Sequence, residues 1–416
     1  MLKIAITGNI GSGKSLLTSF VKKLGGVTAS CDDMNRELLR EKSYLKKLSI
    51  LFPNAVINGV VDKKIIREEV FSSKEKLQLL NDLAHPAIKK KIDKFFRDNK
   101  DCNCVYVEVP LLFETGMEKL FDRIWFVTSS EENAVLRAVE RDGVSKEQIN
   151  SIRKSQAKFK RVESKVNEIF INDKSKEDLF KKVKEKYIPS HLKQYTHLFI
   201  DLDNTILDFN KSEEAALKLA CKDFGISVNK RDVKVYNEMN RREWERFECG
   251  EIEKKDVLVN RYVNFLAYKK AQGDASQLNE LYKKYLAMQA FYIKGAKEGI
   301  KKLKQKYVLC LISNGTYPVQ KGRLELSGLD KVFDYIVISD EIGLAKPNKE
   351  YFDYCLKLTG VNKENVLVIG DSNTSDMKGA FGSGLDALYY VFYGDPCLYP
   401  CIASVSNWKE LLKLLV

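Results

Sequence analysis

The chain has 416 residues, 44% of them hydrophobic and 31% charged, which is typical of a globular protein and allows about two to three domains. It lacks a long apolar run, a secretory signal and the cysteine spacing of a zinc or disulfide framework, so we expect a cytoplasmic protein with no membrane partner. The net charge of +13 suits polyanionic ligands such as nucleotides; because no nucleic-acid-binding motif accompanies it, we expect small-molecule partners and no nucleic acid.

Residues 1–190 alternate apolar runs with amphipathic stretches. The candidate strands are Lys3–Thr7, Val27–Ser30, Val105–Val109, Ile124–Thr128 and Ile169–Ile171. This alternation predicts an α/β domain with a parallel sheet and helices on both faces. A charged helix near Lys176–Tyr187 should end at Pro189, so we place a domain boundary between residues 190 and 191.

Residues 191–416 begin a second series of the same kind. Its candidate strands are His197–Asp201, Val308–Ile312, Tyr335–Ile338, Val366–Ile369 and Ala387–Val391. A long, mostly helical and charged stretch separates the first two strands. An all-helical insertion of this kind predicts a cap, at about residues 211–292, over the carboxyl edge of a second doubly wound parallel sheet.

The loop after the first strand has the pattern G-x-x-x-x-G-K-[ST]. Its glycines would let backbone N–H groups approach phosphate oxygens, and the helix that follows would present its positive end to the same anion. Lys14 should reach the β- and γ-phosphates of ATP, and the Ser15 hydroxyl should bind Mg²⁺. The predicted phosphate-binding residues are Gly8, Asn9, Ile10, Gly11, Ser12, Gly13, Lys14 and Ser15.

Three further residues could take part in phosphoryl transfer. Asp32 follows the second strand, where a carboxylate could accept the proton of an attacking hydroxyl; it could instead cap a helix. Arg137 and Arg141 are four residues apart in a helical stretch, so they share a face that could clamp phosphates or simply be solvated.

Residues 1–187 resemble dephospho-coenzyme A kinases. The resemblance lies in the order and spacing of the segments TGNIGSGKS, CDDMNRELL, AHPAI, VEVPLLFE and RAVERD. It implies transfer of the ATP γ-phosphate to the 3′-hydroxyl of dephospho-coenzyme A. It also implies that Asp32 is the catalytic base, that Arg141 belongs to a phosphate-contacting lid, and that His85 lies in the acceptor-binding region.

One position departs from the family's pattern. The family has two acidic residues around one small residue after the second strand, whereas this chain has Ser30, Cys31 and Asp32. A register shift would make Asp33 the base. We favour Asp32 because Arg36, four residues later, then matches the family's arginine.

In the second half, polar residues follow several strands in succession. Asp201 ends the first strand and Asp203 lies just past it, Ser313 follows the second, Lys346 lies in GLAKP, and Asp371 and Asp376 follow the strand Val366–Ile369. Because parallel strands end at one edge of a sheet, we expect these groups to converge.

Their chemistry suits phosphate-ester hydrolysis. Asp201 would attack phosphorus and form an aspartyl-phosphate, and Asp203 would exchange a proton with the leaving oxygen and then with water. Ser313 would donate to the phosphoryl oxygens, and Lys346 would neutralise charge. Asp201, the backbone carbonyl of Asp203 and Asp371 would bind Mg²⁺.

Residues 195–416 resemble the haloacid-dehalogenase-like hydrolases through DLDNT, ISN, AKP and GDSNTSD. The helical insertion is similar to that family's first type of cap. The stretches FIDLDNTILDF and YNEMNRREWERFECGEI resemble its nucleotidase branch, which dephosphorylates pyrimidine 5′-monophosphates.

The sequence therefore predicts a bifunctional enzyme, a kinase followed by a phosphomonoester phosphatase. An alternative is that one half is a nucleotide- or phosphate-binding regulatory module without turnover, since Ser30 stands where the kinase family has an acid.

Overall fold

The computed structural model describes residues 1–57, 59–142 and 159–416, with the backbone alone for residues 71, 141, 142, 159 and 160. It divides the chain into two compact units, Met1–Leu192 and Lys193–Val416. Among the described residues, no helix combines the length and the apolar character that a membrane crossing requires.

The first unit contains a parallel sheet built from strands β1 (Leu2–Gly8), β2 (Thr28–Ser30), β5 (Cys104–Glu108), β6 (Arg123–Thr128) and β7 (Glu168–Ile171). Its order is β2-β5-β1-β6-β7. A short antiparallel hairpin, β3 (Val56–Ile57) and β4 (Val60–Val61), lies outside this sheet. Since β1 is central and buried, the loop that follows it begins at the middle of the sheet's carboxyl edge.

Helices connect these strands. They are α1 (Lys14–Lys23), α2 (Cys31–Leu38), α3 (Lys42–Leu51), α4 (Lys63–Ser72), α5 (Lys74–Asp98), α6 (Glu131–Asp142), α7 (Phe159–Val162) and α8 (Lys176–Lys186), with 3₁₀ turns at Pro53–Ala55, Met117–Leu120 and Glu163–Lys165. In α1, Leu17 and Val21 are one turn apart and both buried, which is the apolar face expected of a helix on a sheet.

The second unit contains a six-stranded parallel sheet. Its strands are β8 (His197–Asp201), β9 (Val308–Ser313), β10 (Tyr335–Ile338), β11 (Val366–Gly370), β12 (Asp386–Tyr390) and β13 (Ala403–Val405), in the order β10-β9-β8-β11-β12-β13. The chain moves outward from β8 to β10 and then returns to the other side of β8. This reversal makes the gap between the ends of β8 and β11 the place where a ligand crevice is expected.

The first four helices after β8 are α9 (Phe209–Asp223), α10 (Lys230–Glu248), α11 (Lys254–Lys269) and α12 (Ala275–Leu286). We call them the cap. The remaining helices are α13 (Ala296–Lys304), α14 (Tyr317–Ser327), α15 (Ser339–Ile342), α16 (Lys349–Thr359), α17 (Lys378–Ser383) and α18 (Trp408–Leu415), with 3₁₀ turns at Leu329–Lys331 and Lys363–Asn365 and a π-helical turn at Asn373–Met377.

The predicted fold class, two doubly wound parallel sheets, is confirmed. Each predicted strand is present, with its ends within two residues of the expected ones. The sequence analysis missed β13 and the hairpin β3–β4. Both are made of strands of two or three residues, too short for a periodic pattern to be visible.

A buried polar network lies inside the cap. Arg261 donates to Asn240 Oδ1 at 2.6 Å and to Asn279 Oδ1 at 3.2 Å, and Asn240 in turn donates to the carboxylate of Glu213. All four side chains are buried. Burial raises the pKa of Glu213 to about 7, although the charge of Arg261 acts in the opposite direction.

This shift makes the stability of the chain depend on pH. The pKa of Glu213 is higher in the folded state than its ordinary value of 4.5, so folding is progressively disfavoured as pH rises from about 4.5 to about 7. Between pH 5 and pH 8, we expect the free energy of unfolding of the wild type to fall by about 1 to 3 kcal/mol because of Glu213, and Glu213→Gln should not show this fall. Urea unfolding at the two pH values measures this difference.

The matched control is Glu214→Gln, because Glu214 is an exposed neighbour paired with Lys218 on the same helix. It should keep the pH dependence of the wild type. Equal pH dependence in Glu213→Gln and the wild type would contradict the assignment of a raised pKa to Glu213.

Candidate active sites

The loop Gly8–Ser15 joins β1 to α1 and is packed too tightly for side chains at its glycines. Gly8, Gly11 and Gly13 have φ of 151°, 73° and 100°. A Cβ atom at Gly8 would lie 2.1 Å from the carbonyl oxygen of Val127, and one at Gly11 would lie 1.9 Å from that of Ala134. The loop backbone is thus held directly against β6 and α6. A glycine loop of this kind can bind an anion through its backbone N–H groups.

Two side chains of this loop fit a phosphate ligand. Lys14 Nζ donates to the carbonyl oxygens of Gly8 and Asn9, each at 3.0 Å, so its ammonium group lies over the loop. The Ser12 hydroxyl is buried and has no hydrogen-bond partner among the described residues. A buried polar atom without a partner is costly, and a phosphate oxygen would satisfy it.

Ser15 lies beside a carboxylate that the sequence analysis missed. Its Oγ donates to Glu108 Oε1 at 2.7 Å, and Glu108 is the buried last residue of β5, the neighbour of β1. A hydroxyl and a carboxylate are the oxygen ligands that Mg²⁺ prefers. The position of Glu108 at the carboxyl end of an apolar strand was a signal that could have identified it.

A cavity of about 330 Å³ lies next to the carboxyl ends of β2 and β5. Asp32 and His85 both line it, together with Lys63 and an otherwise mostly apolar wall. Asp33 does not line it and is paired with Arg36 on the surface. Burial lowers the pKa of His85, so the neutral imidazole is favoured there.

Ser30 caps α2 by accepting a hydrogen bond from the backbone N–H of Asp32 at 3.2 Å. The capping role considered for Asp32 therefore belongs to Ser30. The side chain of Asp32, in the first turn of α2, is exposed and borders the cavity.

Arg137 reaches the glycine loop through one intermediate residue. Its Nη1 donates to the carbonyl oxygen of Asn172 at 2.8 Å, and Asn172 Nδ2 donates to the carbonyl oxygen of Ser12 at 2.8 Å. Arg137 thus braces the loop, and its contact with ATP stays a prediction. The side chain of Arg141 lies outside the described part of the chain.

In the second unit, a buried lysine bridges two carboxylates. Lys346 Nζ donates to Asp201 Oδ1 at 2.6 Å and to Asp376 Oδ1 at 2.7 Å. Burial acts against the charge of Lys346, but the charges of Asp201 and Asp376 outweigh it and raise its pKa. The ammonium group therefore stays protonated and fixes the orientation of Asp201.

Asp371 completes an acidic cluster. Asp201, Asp371 and Asp376 offer oxygen atoms that all lie within 4.8 Å of one another. Burial, together with the neighbouring acids, raises the pKa of both Asp201 and Asp371, even though Lys346 opposes the shift. One lysine cannot neutralise three carboxylates, so a hard divalent cation fits the cluster.

The carboxylate of Asp203 is held by a different set of groups. Arg323 Nη1 donates to Asp203 Oδ1 at 2.5 Å, and Gln320 Nε2 donates to Asp203 Oδ2 at 2.7 Å. Gln320 also donates to Ser313 Oγ at 2.8 Å. Both Gln320 and Arg323 come from α14, and no sequence motif pointed to them.

The loops after β9 and β10 are joined by two reciprocal hydrogen bonds. Asn314 Nδ2 donates to the carbonyl oxygen of Lys346 at 2.8 Å, and the backbone N–H of Lys346 donates to Asn314 Oδ1 at 2.9 Å. The structure therefore brings Asp201, Asp203, Ser313, Lys346 and Asp371 to one edge of the sheet. Their catalytic roles stay predictions.

A segment of the cap faces these loops. A cavity of about 600 Å³ lies between residues 247–254 and residues 345–350, and Lys254, Lys346, Lys349 and Lys378 line it. Lys254 donates to the carbonyl oxygen of Gly315 at 3.0 Å, and the Glu248 carboxylate accepts from the hydroxyl of Thr374. Burial raises the pKa of Glu248 to about 7. Glu248, Glu253 and Glu350 also line the cavity, so its walls carry charges of both signs.

Each half of the chain matches one family model. Residues 2–178 match the model described as dephospho-CoA kinase, and residues 198–389 match the model described as haloacid dehalogenase-like hydrolase. The dephospho-CoA kinase of Fusobacterium nucleatum is 34% identical over 182 residues, which are 43% of this chain and 94% of that protein.

The second half is similar to two further proteins. YfnB of Bacillus subtilis, which is named as a HAD (haloacid dehalogenase-like) hydrolase, is 33% identical over 224 residues. These residues are 54% of this chain and 94% of YfnB. Its crystal structure, with magnesium bound, superposes with a TM-score of 0.52 at 32% identity, covering 54% of this chain and 99% of that one. The pyrimidine 5′-nucleotidase PynA of Streptococcus pneumoniae is 32% identical over 202 residues, covering 47% of this chain and 84% of that protein.

The acidic cluster predicts a measurable response to Mg²⁺ in the absence of ATP. Because the cation would relieve the repulsion among three neighbouring carboxylates, we expect it to raise the melting temperature of the full chain. Asp371→Asn should weaken this Mg²⁺ binding at least about tenfold, since it removes one ligand and one charge. Titration calorimetry measures the affinity.

Glu280→Gln, which removes an exposed carboxylate of the cap, serves as the control and should bind Mg²⁺ like the wild type. Undiminished Mg²⁺ affinity in Asp371→Asn would show that the cation does not bind at this cluster.

Proposed function

We propose two activities for this chain, which belongs to the dephospho-CoA kinase family in its first half and to the haloacid dehalogenase-like hydrolase family in its second half. Both families consist of enzymes: the first family transfers phosphoryl groups, and the second consists of hydrolases. The proposal concerns the substrates, the metal ion and the residues that carry out each reaction.

For the first unit we propose transfer of the γ-phosphoryl group of ATP to the 3′-hydroxyl of dephospho-coenzyme A. The observation that carries this proposal is the cavity that Asp32 and His85 share at the carboxyl ends of β2 and β5. It has room for an acceptor, and its carboxylate lies at the sheet edge where the phosphates of ATP would bind.

In this reaction the acceptor hydroxyl gives its proton to Asp32, and its oxygen forms a bond to the γ-phosphorus. The bond between that phosphorus and the bridging oxygen breaks, and ADP leaves. Lys14 and the loop N–H groups offset the charge on the phosphates, and Arg137 keeps the loop in place through Asn172. Ser15, with Glu108, would hold Mg²⁺, which neutralises phosphate charge when bound.

For the second unit we propose hydrolysis of phosphate monoesters. The carrying observation is the cluster in which Lys346 orients Asp201 beside Asp371 and Asp376. Asp201 attacks phosphorus, the ester bond breaks, and the leaving oxygen takes a proton from Asp203. Water then attacks the acyl phosphate and gives its proton to Asp203, which releases phosphate and restores Asp201.

Ser313 and the ammonium group of Lys346 would offset charge on the phosphoryl oxygens during both steps. Asp201 and Asp371, with the backbone carbonyl of Asp203, would hold Mg²⁺, and the position of Asp376 makes it a further ligand candidate. When bound, the cation would screen the negative charges of nucleophile and substrate from each other.

As the finer substrate we propose nucleoside 5′-monophosphates. The similarity to the pyrimidine 5′-nucleotidase PynA favours a nucleotide, and the lysines among the charged groups of the cavity between cap and sheet could bind its phosphate. Hydrolysis of the 3′-phosphate of coenzyme A would undo the first reaction, so we expect that ester to be a poor substrate.

The kinase proposal is tested with Asp32→Asn and its matched neighbour Asp33→Asn. We expect Asp32→Asn to lower the rate of dephospho-coenzyme A phosphorylation about 100-fold or more, because it removes the base, while Asp33→Asn stays within about threefold of the wild type. Chromatography of the coenzyme A product measures both. Loss in Asp33→Asn alone would transfer the role of base to Asp33.

The two activities should also be separable by mutation. Asp201→Asn should abolish hydrolysis of a nucleoside monophosphate panel, because an amide cannot act as the nucleophile, and should leave the kinase rate unchanged. Lys14→Ala should do the reverse. Loss of both activities in either variant would contradict the assignment of one reaction to each unit.

A further inference from the structure

Asp203 stands two residues beyond the proposed nucleophile, and its carboxylate is held at both oxygens. Arg323 Nη1 donates to Oδ1 at 2.5 Å, and Gln320 Nε2 donates to Oδ2 at 2.7 Å. The two donors are three residues apart on α14 and therefore share one face of that helix. Each carboxylate oxygen has two lone pairs, so these hydrogen bonds leave both oxygens able to exchange a proton with a substrate.

Arg323 is the more strongly constrained of the two donors. Its side chain is completely buried, which is costly for a guanidinium unless it is paired. Besides Asp203, its Nη1 donates to Gln320 Oε1 at 2.8 Å and its Nε to the carbonyl oxygen of Gln289 at 3.1 Å. The ring of Phe209 lies 5.5 Å from the guanidinium carbon. These contacts fix the donor before any substrate arrives.

Gln320 connects two groups that come from different strands. Its Nε2 also donates to the hydroxyl of Ser313, at the end of β9, at 2.8 Å. The side chain lies against Gly315, where an added Cβ would come within 2.3 Å of Nε2. The side-chain amide of Gln320 therefore fixes the position of Asp203, the proposed acid–base group, relative to Ser313, whose hydroxyl would donate a hydrogen bond to the phosphoryl oxygens.

Arg323 also contacts the chain segment that returns from the cap. Gln289 follows α12, the last cap helix, and Phe291 accepts a hydrogen bond from the backbone N–H of Asp208, where the chain enters the cap, at 2.8 Å. The guanidinium therefore lies between the carboxylate of Asp203 and the segment that connects the cap to the sheet.

We propose that Arg323 and Gln320 are positioning residues that hold the carboxyl group of Asp203 in line for proton transfer to the leaving oxygen. This inference rests on the phosphatase activity proposed above for the second unit. A free aspartate side chain can rotate about two bonds, whereas a proton donor must lie about 2.6 to 3.2 Å from the atom it protonates. The two donors remove that rotational freedom.

The inference predicts a dependence on the leaving group that general damage to the fold would not produce. 4-Nitrophenyl phosphate releases a weakly basic oxygen that leaves without help, whereas phenyl phosphate releases a more basic oxygen that needs the proton of Asp203. The two esters are nearly the same size, so they should bind alike. The value of kcat/KM reports the first phosphoryl transfer for each.

The variants are Arg323→Met, Arg323→Lys and Gln320→Leu in the full chain with Mg²⁺, with Asp203→Asn as the reference. In Arg323→Met we expect kcat/KM to fall about 100-fold on phenyl phosphate and about tenfold or less on 4-nitrophenyl phosphate. Gln320→Leu should also lose more kcat/KM on phenyl phosphate than on 4-nitrophenyl phosphate, but to a smaller extent. Arg323→Lys should keep more kcat/KM on phenyl phosphate than Arg323→Met, because it retains a charged donor.

Arg242→Met is the control, because Arg242 is an exposed cap arginine paired with Glu238; it should match the wild type on both esters. If Arg323→Met does not fold, as judged by circular dichroism, Gln320→Leu decides the question by the same ratio. If kcat/KM fell equally on the two esters in the folded variants, or did not fall, this inference would be overturned and the phosphatase proposal would stand. Failure of the wild type to hydrolyse either ester or the nucleotide panel would overturn the phosphatase proposal, and this inference with it.

Discussion

The ammonium group of Lys346 lies between the carboxylates of Asp201 and Asp376, and the arrangement of the second site depends on this contact. Three carboxylates with oxygen atoms within 4.8 Å of one another would repel, and burial already raises the pKa of Asp201 and Asp371. A single lysine offsets part of this charge and orients Asp201. The remaining negative charge is what makes the cluster a candidate for a divalent cation.

The first unit meets a related requirement, the binding of phosphates, with its backbone. We propose that backbone N–H groups and Lys14 supply the positive charge at the glycine loop, which requires that no side chain separates the loop from its support. The contacts of Gly8 with Val127 and of Gly11 with Ala134 leave no room for a Cβ atom. Close packing thus fixes the loop, and Asn172, which follows the edge strand β7, donates a further hydrogen bond to the carbonyl oxygen of Ser12.

Both units use the carboxyl edge of a parallel sheet, but they complete the site differently. In the first unit the cavity proposed for the acceptor is formed by α2, α3, α4, α5 and the segment after β5, and its wall is mostly apolar. In the second unit the cap segment 247–254 faces the loops that carry the proposed catalytic residues, and four lysines and three glutamates line the space between them. An apolar wall suits an acceptor that carries a large uncharged portion, whereas lysines favour a small anionic ester.

The sequence by itself determined the two parallel sheets, the glycine loop and the succession of Asp201, Asp203, Ser313, Lys346 and Asp371. It could do so because strand periodicity and local motifs are properties of short segments, and because parallel strands carry the residues at their ends to one edge. Glu108 could have been added by the same rule. Gln320 and Arg323 could not, because they contact Asp203 across more than a hundred residues, and a lone glutamine or arginine on a helix gives no local signal. The sequence favoured Asp32 over Asp33, but only the packing of α2 shows which side chain borders the cavity, and the role of the base stays a prediction.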